Sequence, residues 1–378
     1  MIYFDHNATF PLCPAARDAW LDATERFIGN PSSPHRIGAR ADAAMTVARE
    51  KLATFLGCDP HAIVWTSGAT ESNNTVIRHF AAKGTGEAWI SAIEHPSVLD
   101  PTRRAFPRTH RLIPVGRDGV ADLNWLHGQL AKRRPAFVGL MAANNETGVI
   151  QPWREALLLC RDHGVPFFCD AAQLVGKLPA RGLGECDFVS GCAHKFGGPL
   201  GVGFLKCSGR LHPLLHGGPQ EDGRRAGTEN VCGILAMVAG LDHREEALRV
   251  GDQERRCVWR DQFVESMQRA LPGLEIIGAT AERLWNTVST ALPELDGRQR
   301  WVVKLDKQGF AVSTGSACSS GQEKPSHVLS AMGVKAEVAA RVIRFSGGWE
   351  TTERDWKDLG RCVAEMAAAA VATGTSSS

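Results

Sequence analysis

The chain of 378 residues is poor in tyrosine, which occurs once, at Tyr3, against ten tryptophans. It has almost no net charge either. A formal +2 leaves neither the basic footprint of a nucleic-acid binder nor a polybasic membrane-surface patch. No apolar run approaches the roughly 18 residues of a membrane-spanning helix. The opening stretch "MIYFDHNATF" lacks the basic-then-apolar layout of a secretory signal. Internal repeats and long linkers are absent. The eleven cysteines include no C-x-x-C pair and no cluster with zinc-ligand spacing, so a metal-finger or dithiol redox reading has no support. Their odd number and scattered positions argue against a disulfide framework. The expectation is a cytoplasmic protein with reduced thiols, most of them small core hydrophobes.

What is present is ordinary globular composition, 43% hydrophobic and 22% charged, enough for one large domain and a smaller one. Between about residues 40 and 210, short apolar runs alternate with amphipathic helical patterns. "AIVWTSGAT" reads as a strand running into a glycine turn, with "ESNNTVIRHFAAKG" as the helix that follows. "EAWISAIEH", "AFVGLMAANNE", "VPFFCDAAQ" and "CDFVSGCAHK" are further apolar runs that end in polar residues. That alternation predicts an α/β fold with a mostly parallel sheet between helices. Ligands of such sheets bind beyond the carboxyl ends of the strands, where these polar clusters fall. After about residue 245 a long charged helix, a strand-like "LWNTVSTAL", a Gly/Ser-rich loop and a final helix predict a smaller α+β domain. The expected division is a large domain over 13–247, a small domain from 1–12 and 248–372, and a disordered tail at 373–378.

Three strand-end clusters carry chemistry. In "SGATESNN", Gly68, Ala69 and Thr70 open a helix, where free N–H groups and the helix dipole make a phosphate seat. In "FFCDAAQ", Asp170 stands just past an apolar strand, placed to pair with a ligand ring N–H, with Gln173 three residues on. In "SGCAHKFGGPLG", Lys195 follows His194 and precedes a Gly/Pro loop, the setting of a lysine that forms Schiff bases once partly desolvated. Each cluster alone is more often a plain helix cap or a surface lysine. Together, a phosphate seat, a ring-nitrogen carboxylate and a Schiff-base lysine make a consistent pyridoxal 5'-phosphate site. His95, in "AIEHPSVLD", ends another strand, where an imidazole could stack on the cofactor ring.

The motifs "YFDHNAT", "GNPSSPHRIG", "TSGATESNN", "EHPSVLD", "NNETGVIQP", "CDAAQLVGKLP", "AHKFGGPLGVG", "RRAGTENV", "STGSACSSG" and "RVIRFS" follow one another from residue 3 to residue 346. In that order they resemble cysteine desulfurases of the NifS/IscS kind, fold-type I enzymes of the class V aminotransferase family. The resemblance covers nearly the whole chain.

It implies a homodimer that converts L-cysteine to L-alanine and passes the sulfur to an acceptor protein, an iron–sulfur scaffold or a sulfur carrier. Lys195 would hold the cofactor and take the Cα proton. Asp170 would keep the pyridine nitrogen protonated, Gln173 would bond the phenolic oxygen, and His95 would stack and shuttle protons. Ala69, Thr70, Cys192 and His194 would bind phosphate, and Thr228 would reach a phosphate across a dimer interface. Asn145 and Arg344 would hold the substrate carboxylate, the arginine through a bidentate pair that lysine could not copy.

Cys318, in "VSTGSACSSG", would be the nucleophile that takes the sulfur as a persulfide. The spacing from Cys318 to "PSHVLSAMG" matches the longer-loop group of these enzymes, and the short "RxGxxC" form is absent. The chain departs from the family at Cys192, where serine is usual, and at Phe10, where a second threonine usually follows Thr9. Alternatives remain a selenocysteine lyase or aminotransferase of the same family with an incidental Cys318, and a sulfur carrier without turnover.

Overall fold

The computed structural model describes residues 1–84, 86–293, 301–314 and 326–374. Cys318 and most of its loop, with the last part of the tail, lie outside the described residues. Twelve strands are numbered in chain order among those described: β1 (Ile2–Tyr3), β2 (Ile63–Thr66), β3 (Ala88–Ser91), β4 (His110–Ile113), β5 (Phe137–Gly139), β6 (Phe167–Asp170), β7 (Phe188–Cys192), β8 (Gly203–Cys207), β9 (Glu275–Ile276), β10 (Thr287–Ala291), β11 (Phe310–Ala311) and β12 (Val342–Ser346).

The central sheet has the order β2-β8-β7-β6-β5-β3-β4. β3 to β7 pair in parallel, and β8 runs antiparallel to both its neighbours. Its strands other than the edge strand β4 are buried on both faces, which is why sequences such as those of β2, β3 and β6 read as continuous apolar runs. Alternate residues nonetheless serve different cores. Trp89, Phe167 and Cys169 pack on one face with Leu52 and Leu56 of the helix Arg36–Leu56. Ile90 and Phe168 pack on the other with Val76 and Phe80 of the helix Ala69–Ala82. Fully burying a side chain of this size stabilises the fold by roughly 1.5–3 kcal/mol.

A second, antiparallel sheet has the order β12-β10-β9. Its core joins Val288 and Phe345 to Phe263, Trp356 and Leu359 of two helices, Asp252–Ala270 and Glu353–Gly374. The chain start belongs to neither sheet alone. β1 pairs in parallel with β11, Asp5 bridges Ser346, and Phe10 N–H donates to His194 O at 2.7 Å. The first ten residues therefore run from the second sheet to the end of β7.

The long charged helix expected after residue 245 is two helices, Val231–Arg249 and Asp252–Ala270. The break falls at Gly251, whose φ of 74° lies in the left-handed region that glycine enters without a Cβ penalty. The charged residues on both sides hide that single backbone signal from a periodicity reading. Among the described residues no helix is long and apolar enough to cross a membrane.

Candidate active site

A cavity of about 470 Å³ opens at the carboxyl ends of β2, β3, β6 and β7. Its walls include Ala69, Thr70, His95, Asn145, Asp170, Gln173, Cys192, His194, Lys195 and Arg344. Every sequence-predicted site residue within the described part of the chain is there except Thr228. Thr228 is exposed, on the segment that leads to the helix Val231–Arg249. A link does run from that segment to the cavity. Arg225 Nε donates to Glu71 Oε1 at 2.9 Å, and Glu71 lines the cavity from the first turn of the helix Ala69–Ala82. Cys318, the expected nucleophile, lies outside the described residues.

Each wall is set by local chemistry. β2 runs into Ser67-Gly68, and Gly68 caps the helix Ala69–Ala82 with φ 149° and ψ 176°, a conformation that suits glycine. The turn places the start of the helix, with Ala69, Thr70 and Glu71, on the cavity wall. Asp170 is the last residue of β6 and is 6% exposed. One carboxylate oxygen accepts from Asn73 Nδ2 at 2.8 Å and the other from Ala172 N–H at 3.0 Å. A carboxylate has about four lone-pair sites, so acceptor capacity remains for a ligand N–H.

His95 caps the helix Pro96–Ala105. Its Nδ1 accepts from Ser97 N–H at 3.1 Å and lies 2.8 Å from Ser97 Oγ. An acceptor role for Nδ1 assigns the proton of the neutral ring to Nε2. Burial lowers the His95 pKa, against the opposing pull of Asp170, which favours that neutral form. Burial together with the adjacent Lys195 pushes His194 down to about 4. The Cys192 thiol, 3.8 Å from His194 Nε2, is pushed up to about 11 by burial. It is an inert thiol at neutral pH and not a thiolate.

Lys195 Nζ donates to Asn7 O at 2.7 Å and to Ala8 O at 2.8 Å. Arg344, on β12, has its side chain 3% exposed. It donates through Nη1 to Asn145 O at 2.8 Å and pairs through Nη2 with Asp5. Arg344 Nε is buried without a partner among the described residues. The guanidinium therefore reaches the cavity with some of its donors already used inside the protein.

Sequence reasoning missed the residue that joins these groups. Asn7, in "YFDHNAT", accepts from Lys195 and Gln173 through its carbonyl and donates through Nδ2 to Asn145 O at 3.1 Å. Its Oδ1 accepts from Lys177 Nζ at 2.9 Å. Its place in an early polar cluster was the available signal. Glu94 was missed as well. It is 1% exposed, one oxygen accepts from Met141 N–H at 2.7 Å, and the other has no partner among the described residues. Burial, aided by Asp170, pushes its carboxyl well above the usual range.

Two of the ten tryptophans also gain a reason here. Trp285 and Trp349 pack against each other at a tilt of 55° with ring centroids 4.6 Å apart, and donate their indole N–H groups to Lys177 O and Gly176 O. They fasten the turn after Gln173 to the second sheet.

Measured against known proteins, the chain matches the class-V aminotransferase family over residues 2–359. The chain belongs to that family. A cysteine desulfurase of Dictyoglomus turgidum, named IscS, is 38% identical over 94% of this chain and 91% of its own length. A solved NifS-like protein superposes with a TM-score of 0.87 at 31% identity, covering 97% of this chain and 98% of its own. The solved structure of SspA in complex with cysteine superposes at 0.79 and 28% identity, covering 92% and 98%. The class-V architecture explains why the cavity draws on both sheets. β2, β3, β6 and β7 lead to the start of the helix Ala69–Ala82, His95, Asp170 and Lys195, and β12 supplies Arg344.

Proposed function

We propose that this chain is a pyridoxal-phosphate-dependent cysteine desulfurase. L-Cysteine and the Cys318 thiol go to L-alanine and a Cys318 persulfide: a sulfur–sulfur bond forms, the carbon–sulfur bond breaks, and a proton goes to the former Cβ. The observation that carries the reading is the meeting of Lys195, Asp170 and His95 in one cavity, each delivered by the end of a different strand.

The donor set fits pyridoxal phosphate. Asp170 offers a buried carboxylate with spare acceptor capacity, and the start of the helix Ala69–Ala82 offers N–H groups and the Thr70 hydroxyl to a dianion. His194 and Cys192 add donors on the β7 side, and Lys195 supplies an amine. When bound, the cofactor serves as an electron sink that acidifies the Cα–H of an amino acid.

The rest is done by the chain. The Lys195 amine is the base for the Cα proton, and the two carbonyls that hold it fix where it waits. His95, neutral with its proton on Nε2, can hand that proton over and take it back. The Asp170 carboxylate, pinned by Asn73 and Ala172, cannot rotate away from a ring nitrogen. Arg344 with Asn145 binds the substrate carboxylate, through guanidinium N–H groups that Asn145 O and Asp5 do not take up. Thr228 reaches a phosphate of a second protomer in a homodimer. The sulfur then passes to an acceptor protein in the cytoplasm, an iron–sulfur scaffold or a sulfur carrier.

The test is sulfide and alanine release from L-cysteine with a reductant, for the wild type and Cys318→Ala, both loaded with cofactor. The expected outcome is equal formation of both products by the wild type and loss of sulfide from the variant, with the visible absorbance of bound cofactor unchanged. Equal turnover by both proteins would remove Cys318 from the mechanism and turn the reading toward another class V chemistry.

A further inference from the structure

Beneath the cavity floor lies a lysine that the mechanism does not use. Lys177 is fully buried, and its amine meets Gln173 Oε1 at 2.5 Å and Asn7 Oδ1 at 2.9 Å, above the Phe10 ring. No carboxylate pairs with it among the described residues. Burial, then the nearby Lys195 and Arg344, holds its pKa well below the usual lysine range. Two tryptophan N–H groups fix its backbone carbonyl and that of Gly176, so the amine is delivered to this spot by a locked turn.

An apolar side chain of similar length would fill the space without a desolvation cost. What Lys177 adds is donors: the two side-chain groups its nitrogen meets, Gln173 Oε1 and Asn7 Oδ1, are both acceptors. The group it meets on Gln173 is the oxygen, which turns the amide nitrogen the other way. Gln173 Nε2 donates one N–H to Asn7 O at 2.9 Å, and its second N–H has no partner among the described residues. The amide is oriented from both ends with one donor to spare, on a residue that lines the cavity.

We propose that Lys177 is a positioning residue that fixes the Gln173 amide so that its nitrogen, and not its oxygen, is presented to the cofactor's phenolic oxygen. This rests on the pyridoxal phosphate reading above. With the amide turned over, two acceptors would face each other, and a hydrogen bond would become a repulsion.

The experiment measures affinity for pyridoxal phosphate by fluorescence titration of the apoprotein, and the visible band of the bound cofactor, for wild type, Lys177→Met, Lys177→Gln, Gln173→Ala and the Lys177→Met/Gln173→Ala pair. Thermal melting of each apoprotein serves as the control for folding. Lys177→Met is expected to lose about ten-fold in affinity, the size of one net hydrogen bond, and to shift the band. Lys177→Gln keeps a donor without the charge and is expected to bind within about three-fold of wild type. In the Gln173→Ala background Lys177→Met should add nothing, because the two side chains act as one unit.

A folded Lys177→Met that binds like wild type, or losses that add fully in the double variant, would overturn the assignment and leave Lys177 as packing alone. Should Lys177→Met not fold, Lys177→Gln carries the test by itself, and a ten-fold loss there overturns the proposal. A wild type that takes up no pyridoxal phosphate would remove the cofactor reading and this inference with it.

Discussion

Cys192 occupies a position on the cavity wall where a hydroxyl would do better. A thiol is a weak hydrogen-bond donor, and burial makes this one harder still to ionise. Its position beside His194 and at the end of β7 is otherwise intact. The expected consequence is loose retention of the cofactor. Cys192→Ser should slow its loss on exhaustive dialysis, followed by the visible absorbance that remains. Equal loss from both proteins would mean that the contact is unimportant.

At the same scale the sequence was legible wherever a residue's chemistry is unusual for its place. Lys195, Asp170 and His95 stand at strand ends, and the cavity gathers them all. Asn7, Glu94 and Lys177 escaped because they act through other protein groups. A buried amide that collects carbonyls, amines and hydroxyls from distant segments leaves no local spacing to read. Its partners lie as far off as Asn286 and Thr287, and only the folded chain brings them together.

Elements depend on a few positions where the backbone has no alternative. Gly176 has φ 74°, and a Cβ there would sit 2.4 Å from Phe196 Cβ. Gly176→Ala is therefore expected to cost about 1–3 kcal/mol, from the left-handed backbone and a contact that neither side can relieve easily. Chemical denaturation of the apoprotein measures this, and a loss under about 0.5 kcal/mol, the usual range for a surface change, would show that the turn can rearrange. Since the turn carries Lys177 and holds both tryptophan hydrogen bonds, the same variant should disturb the cavity. The parallel strands β3, β5, β6 and β7 could be anticipated from their apolar runs, because burial on both faces imposes that composition, whereas the half-exposed edge strand β4 could not. The break between Val231–Arg249 and Asp252–Ala270 could not be, because one glycine among charged residues competes with a strong helical pattern on both sides.

For the whole molecule, buried imidazoles set the response to acid. His6, His79 and His194 are each lowered from 6.5 to about 4, chiefly by burial. The unfolded chain takes up protons at these sites near pH 6.5, whereas the folded chain resists until about pH 4. Stability is thus fully present above pH 6.5 and is lost as pH falls toward 4. The midpoint of urea unfolding should drop between pH 7 and pH 5, and it should drop less in a His6→Gln variant. An unchanged midpoint would mean that other groups offset these three.

The chain start ties one sheet to the other, and this has a consequence for how the protein is made. Asp5 and its partner Arg344 are 339 residues apart, and the carbonyls that hold Lys195 come from Asn7 and Ala8. The ribosome releases the N-terminal segment first but completes its partners only after β12 has emerged. Until then the central sheet can assemble, yet the Lys195 amine lacks an Arg344-anchored segment to hold it. The full set of hydrogen bonds around Asn7, Arg344 and Lys195 is thereby postponed until after β12 is translated.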